Sequence, residues 1–179
     1  PAQRALGRAR EAWFRKDPAF DEAIRTRFGV RVDEALEGGP ADWADPDDDD
    51  GALALLLVFD QFPRNLFRGD ARAFALDARA LALARRLVAS GRDARLRPVE
   101  RAFVYLPFEH SESLEDQREA VRLFGALRGD PDAGGYHEWA VKHLEVIERF
   151  GRFPHRNEAL GRTSTAQELA FLAQPGSRF

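Results

Sequence analysis

From Phe20 onward, apolar side chains return at every fourth position: Phe20, Ile24, Phe28, Val32 and Leu36 form a stripe that stops at Gly38-Gly39-Pro40. That spacing keeps one face of an α-helix apolar, and Asp17-Pro18 supplies the start, a capping side chain followed by proline in the first turn. Before it, a shorter helix is expected over about 3–16, ending in Trp13-Phe14. Ala52 to Gln61 is apolar nearly all round and reads as a buried helix, with Pro63 as its expected stop. A long helix is expected over 70–89, with Phe74, Ala78, Leu81, Arg85 and Val88 on one face and Gly91 closing it. Pro98 opens another that runs to Leu106, where Pro107 is expected to interrupt it.

The same signals continue to the end of the chain. Ser113 starts a helix with Leu114, Val121 and Phe124, finished near Gly129-Asp130-Pro131. Gly135 to Phe150 carries Tyr136, Ala140, His143, Ile147 and Phe150, and Gly151 is its natural stop. Thr165 and Glu168 have capping-box spacing for a last short helix, Ala166 to Ala173. No segment alternates with period two for long enough to be a strand, and no Asn-Gly or Asp-Gly hairpin lies between apolar runs. The predicted class is therefore all-α, an irregular stack or bundle of antiparallel helix pairs joined by Gly/Pro turns.

Length and charge bound what such a chain can do. With 179 residues, 44% of them hydrophobic, residues 1–179 suffice for one domain, since a chain of this size buries roughly 70% of its unfolded surface. Lys and Arg total 27 against 30 Asp and Glu, a net charge of -3, so no global field favours nucleic acid or anionic lipid as a partner. The chain has no cysteine, which excludes disulfides, thiolate nucleophiles and cysteine metal sites and leads us to expect a reducing, cytoplasmic setting. Its longest apolar run, Ala52 to Phe59, is far short of the ~20 residues of a membrane helix, and Pro1 to Phe14 has no signal-peptide core. With no methionine in the sequence, we expect the native chain to begin upstream of Pro1.

The acidic stretch Asp42 to Gly51 invites a calcium reading that its spacing refuses. If Asp45, Asp47 and Asp49 were the first ligands, the turn glycine would fall at Asp50 and the closing glutamate at Leu56. A solvated loop is expected there.

Two later features could carry chemistry. Asp60-Gln61-Phe62-Pro63-Arg64-Asn65 and Gly151-Arg152-Phe153-Pro154-His155-Arg156-Asn157 share the order Phe-Pro then Arg-Asn after an apolar helix. Duplicated loops of this kind can meet near a pseudo-symmetric centre. They are open to a structural use, in which Pro ends a helix, Phe plugs the core and Arg ties the loop to a carboxylate. A functional use is the second reading, in which Arg64, Arg152 and Arg156 present planar donor forks to a carboxylate or phosphate.

The second feature is polar residues at apolar positions. Asp60 continues the face of Leu53, Leu56 and Leu57; Gln117 lies between Leu114 and Val121, and His143 between Ala140 and Ile147. Buried unpaired, each would cost a few kcal/mol, so they need partners, from one another, the loop arginines or the run Glu109-His110-Ser111-Glu112. His155 and His110, with Glu112, are the candidates for proton transfer near neutral pH. Asp60, Gln61, Arg64, Asn65, Gln117, His143, Arg152, Arg156 and Asn157 are the candidates for holding a small anionic ligand. A metal on His110, Glu112, His143 and His155 is not supported by the spacing, and neither a paired-histidine motif, a phosphate loop nor a nucleophile elbow is legible. No cofactor can be named.

Several longer segments resemble a bacterial family known as domain of unknown function 924. They are Ala12-Trp13-Phe14 with Lys16-Asp17-Pro18-Ala19-Phe20-Asp21, Phe59 to Asn65 with Arg68-Gly69, Tyr105 to Glu112 with Asp116-Gln117, Arg149 to Asn157, and Leu160 to Thr165 with Glu168. The resemblance covers essentially the whole chain. It implies a helical fold similar to tetratricopeptide-repeat proteins and assigns no activity, cofactor or residue role. Three functions therefore stand open: an anion-binding protein with acid/base capability, an interaction scaffold for a protein partner or a second copy, and a buried polar network that only fixes helix register.

Overall fold

In a computed structural model the chain is described over residues 8–39 and 44–177. Every regular element among the described residues is helical. The first regular piece among the described residues is a short 3₁₀ turn, Glu11–Trp13; of the helix expected over 3–16, residues 3–7 lie outside the described residues, and over 8–16 only that turn is helical. Helix α1, Pro18–Leu36, begins as its sequence predicts: the Asp17 carboxylate accepts the N–H groups of Ala19 (3.0 Å) and Phe20 (3.2 Å). Ile24, Val32 and Ala35 are buried along it, while Phe28 stays at the edge with its ring stacked on Phe62 at 4.9 Å.

The acidic run is not wholly a loop. Its second half is the first turn of α2, Asp49–Leu56, where Asp48 accepts the Gly51 N–H at 2.8 Å. Carboxylates there face the positive end of the helix dipole. Asp49 also receives Arg92 (2.9 Å) and Arg95 (2.7 Å), so tertiary pairing completes what a solvated loop would lack. Gly51 is required by contact: a Cβ at this position would lie 2.2 Å from the Asp45 carbonyl oxygen.

Pro63 does not stop the next segment. Leu57–Gln61 forms a π turn, in which the Phe62 N–H reaches five residues back to the Leu57 carbonyl, and α3, Phe62–Leu66, follows directly. The extra residue resets the hydrogen-bond ladder, so the proline falls in a new first turn, where its missing N–H is not needed. The helix expected over 70–89 is broken instead. A 3₁₀ turn, Ala71–Phe74, precedes α4, Asp77–Ala89, and the break lets both Ala73 and Leu76 reach the core. Starting afresh at Asp77, α4 buries Ala80, Leu83, Ala84 and Leu87, not Ala78 and Arg85 as the spacing suggested. Gly91 then turns the chain with φ +69°.

Helix α5, Pro98–Glu109, is the centre of the core, burying Phe103, Val104, Tyr105, Leu106 and Phe108 among others. Pro107 lies inside it without interrupting it, because it occupies the last turn and removes only one ladder bond. Helices α6, Leu114–Gly125, and α7, Tyr136–Phe150, pack in succession on α5. Ser113 occupies the N-cap position of α6 without making a cap bond; Ser111 Oγ accepts its N–H at 3.2 Å. Gly151, with φ +68°, ends α7. A 3₁₀ turn, Pro154–Arg156, then leads to α8, Ala166–Leu172, whose start carries both bonds of the Thr165/Glu168 capping box. No helix among the described residues is long and apolar enough to cross a membrane.

Candidate functional site

The π turn places Asp60 inward, buried between α3 and the end of α5. There its Oδ1 lies 2.6 Å from His110 Nδ1, and Oδ2 accepts the Gln61 amide at 2.5 Å. Arg64, one turn on, donates to the Asp60 carbonyl at 2.7 Å and stands 3.5 Å from its carboxylate. Arg64 also forms a two-bond fork with Asp77 at the start of α4, at 2.9 and 3.0 Å. Arg156, from the second Phe-Pro loop, reaches the same carboxylate at 3.3 Å. The two duplicated loops therefore meet on Asp77.

The two arginines are not held alike. Arg156 is buried, its guanidinium 4.6 Å from the ring centres of both Phe74 and Phe153, and its Nε has no hydrogen-bond partner. Burial, and then the neighbouring Arg64 charge, pull it down to about 10, so it remains a cation at neutral pH with most of its donors unused. The two aromatic rings stabilise the charge without satisfying its N–H groups.

Proton affinities around Asp60 are spread apart. Despite burial, the Arg64 charge and the hydrogen bonds from His110 and Gln61 hold Asp60 far below the usual carboxylate range. His110 is pushed down by burial and by Arg64, so it is neutral and donates Nδ1–H to Asp60. Its Nε2 is then the basic nitrogen of the ring. Burial, aided by the Asp60 charge, raises Glu109 to about 8, which leaves it protonated at neutral pH, with Oε2 buried and without a partner. His143 is pulled down to about 3 by burial; its Nδ1–H goes to the Trp139 carbonyl at 2.9 Å and lies 3.3 Å from Glu109 Oε1.

Most of these groups line one cavity of about 600 Å³, while Asp60 and Asp77 stand behind its wall and hold His110, Arg64 and Arg156 in place. His110, His143, His155, Glu109, Arg64 and Arg156 form its ionic part; Trp13, Phe14, Phe74, Tyr136 and Trp139 form its aromatic part. Phe14 and Trp139 remain 51% and 48% exposed, so the aromatic part opens to solvent. His155 is pulled down to about 3, by burial first and then by Arg156.

The sequence profile described as bacterial protein of unknown function (DUF924) matches residues 3–176. The chain belongs to the DUF924 family. The structure of a protein of unknown function from Agrobacterium tumefaciens is similar, at 38% identity with a TM-score of 0.80, covering 90% of this chain and 88% of that one. No curated protein matches. Family membership thus supplies the fold and leaves the chemistry to the residues.

Within this DUF924 chain the remaining candidates divide. Gln61 and Asn65 line the cavity, Asn65 while donating to Asp21 at 2.8 Å. Gln117 is wholly buried beside it, its amide N–H₂ tying the Glu109 (2.5 Å) and Ser111 (2.6 Å) carbonyls and so fixing the turn that carries His110. Arg152 lies elsewhere, forked onto Glu168 at 2.7 and 2.9 Å. Asn157 bonds Ser164 at 3.0 Å. Glu112 accepts the Phe153 N–H (2.8 Å) and two Arg162 bonds (2.7 and 3.0 Å), so it braces the second loop rather than entering the cavity. Among the described residues no three His, Asp or Glu side chains group to hold a metal. Asp77, the meeting point, was not singled out from sequence: it sits in an ordinary amphipathic helix start, and only the loop arginines reveal its use.

Proposed function

We propose that the protein binds a small anionic molecule in this cavity and can accept a proton from it at His110 Nε2. The observation that carries this is Arg156, a buried cation on the cavity wall with one long bond to a shared carboxylate and a buried Nε without a partner. A buried charge so poorly compensated is costly, and an anionic ligand supplies the acceptors it lacks. Asp60 orients the His110 ring, as a carboxylate does for a general base, and protonated Glu109 beside it can return a proton. The cysteine-free composition supports a cytoplasmic setting for this role.

Calorimetric titration with inorganic phosphate and small carboxylates tests the reading. At least one should bind, with affinity lost by about tenfold or more in Arg156→Ala, the loss of one strong charge-assisted contact. Equal affinity in the variant overturns the proposal. So does a folded protein that binds no anion but captures one consistent protein partner, the outcome expected of a tetratricopeptide-like scaffold.

A further inference from the structure

A second cavity of about 360 Å³ adjoins the first: Trp13, Gln61 and Asn65 line both. Its character is different. Ile24, Leu53, Leu57, Phe62, Val99 and Phe103 give it an apolar wall, and Arg8, Arg10, Arg27, Arg97 and Glu100 complete its lining. The three shared side chains make the two cavities neighbours, so a molecule whose anion sits on Arg156 and that is longer than the first cavity has to pass them to enter the second. No single compact metabolite would use both.

Resting on the anion-binding reading above, we infer that the two cavities join past Trp13 and that the ligand is an elongated amphiphile, an unbranched apolar chain ending in a carboxylate or phosphate. The anion occupies the ionic part of the larger cavity, and the chain fills the apolar one. The chemistry follows from the lining: an aliphatic chain gains by leaving water for apolar walls, in proportion to the methylenes buried.

Two homologous series test this on the full chain by calorimetry: alkyl carboxylates from acetate to decanoate, below their micellar concentrations, and the matching alkyl phosphates. Affinity should rise about fourfold per methylene once the chain reaches the apolar cavity and level off when that cavity is full. The two series distinguish a carboxylate head from a phosphate head. Ala23, exposed on α1 at the edge of the apolar cavity, gives a variant that leaves the core intact. Ala23→Trp should fill the cavity and flatten the chain-length dependence while acetate or methyl phosphate binds as before. Affinity independent of chain length overturns the inference and leaves the anion site standing. A chain-length gain that Ala23→Trp does not reduce also overturns it. Affinities that Arg156→Ala leaves unchanged along the whole series place the tail without the anchor, overturning both this inference and the reading on which it rests.

Discussion

Arg156 has five N–H donors and uses one, on a carboxylate that already holds the two-bond fork of Arg64. Asp77 therefore competes with any incoming anion, and Asp77→Asn should separate the two effects. Unfolding by urea should show a loss of about 2 kcal/mol, because two arginines lose a charged partner. Titration should show anions binding more tightly, because their competitor has gone; weaker binding would mean Asp77 is needed to aim Arg156. Glu109 gives a pH signature. Its value rises from the ordinary 4.5 to about 8 on folding, so stability is complete below the lower value and is lost as pH climbs through the upper one. Glu109→Gln should abolish the decline of the urea midpoint between pH 6.5 and 9. His143 and His155, both near 3 in the fold, act oppositely, costing stability as pH falls below 6.5.

At the scale of elements, starts were more legible than continuity. Asp17 and the Thr165/Glu168 box cap their helices as their spacing implies, since a cap depends on neighbours within four residues. Thr165→Ala should cost about 1 kcal/mol in thermal or urea unfolding. The prolines are less informative: Pro63 and Pro107 each sit within a continuing helical path, because a π turn absorbs the first and the end of the helix tolerates the second. The break before Asp77 has no proline or glycine to announce it. It follows from burying Ala73 and Leu76 together, a demand of the core rather than of the local sequence. Gly51 stands between these cases. Gly51→Ala should destabilise by about 2 kcal/mol, the scale of overpacking, because the Asp45 backbone blocks the new methyl group.

Across the whole molecule, the site depends on distant segments being held in register. Glu112 and Arg162 clamp Phe153, and the Phe153 ring lies against the Arg156 guanidinium, so the turn after α5 is tied to the loop after α7. Glu112→Gln should weaken anion binding several-fold without touching the cavity; unchanged affinity, measured by titration, would make the clamp purely structural. The sequence by itself determined the helical class, the apolar faces of most helices and the presence of two like-worded loops, because periodicity and capping act over a few residues. It also marked Asp60, Gln117 and His143 as polar groups in need of partners, with the loop arginines and the run Glu109 to Glu112 as the candidates. Only the tertiary structure decided which partners they have. It brought the two loops together on Asp77, sent Arg152 to Glu168 and left Arg156 facing a cavity, since contacts between residues as far apart as 77 and 156 are set by how helices pack and not by any local pattern.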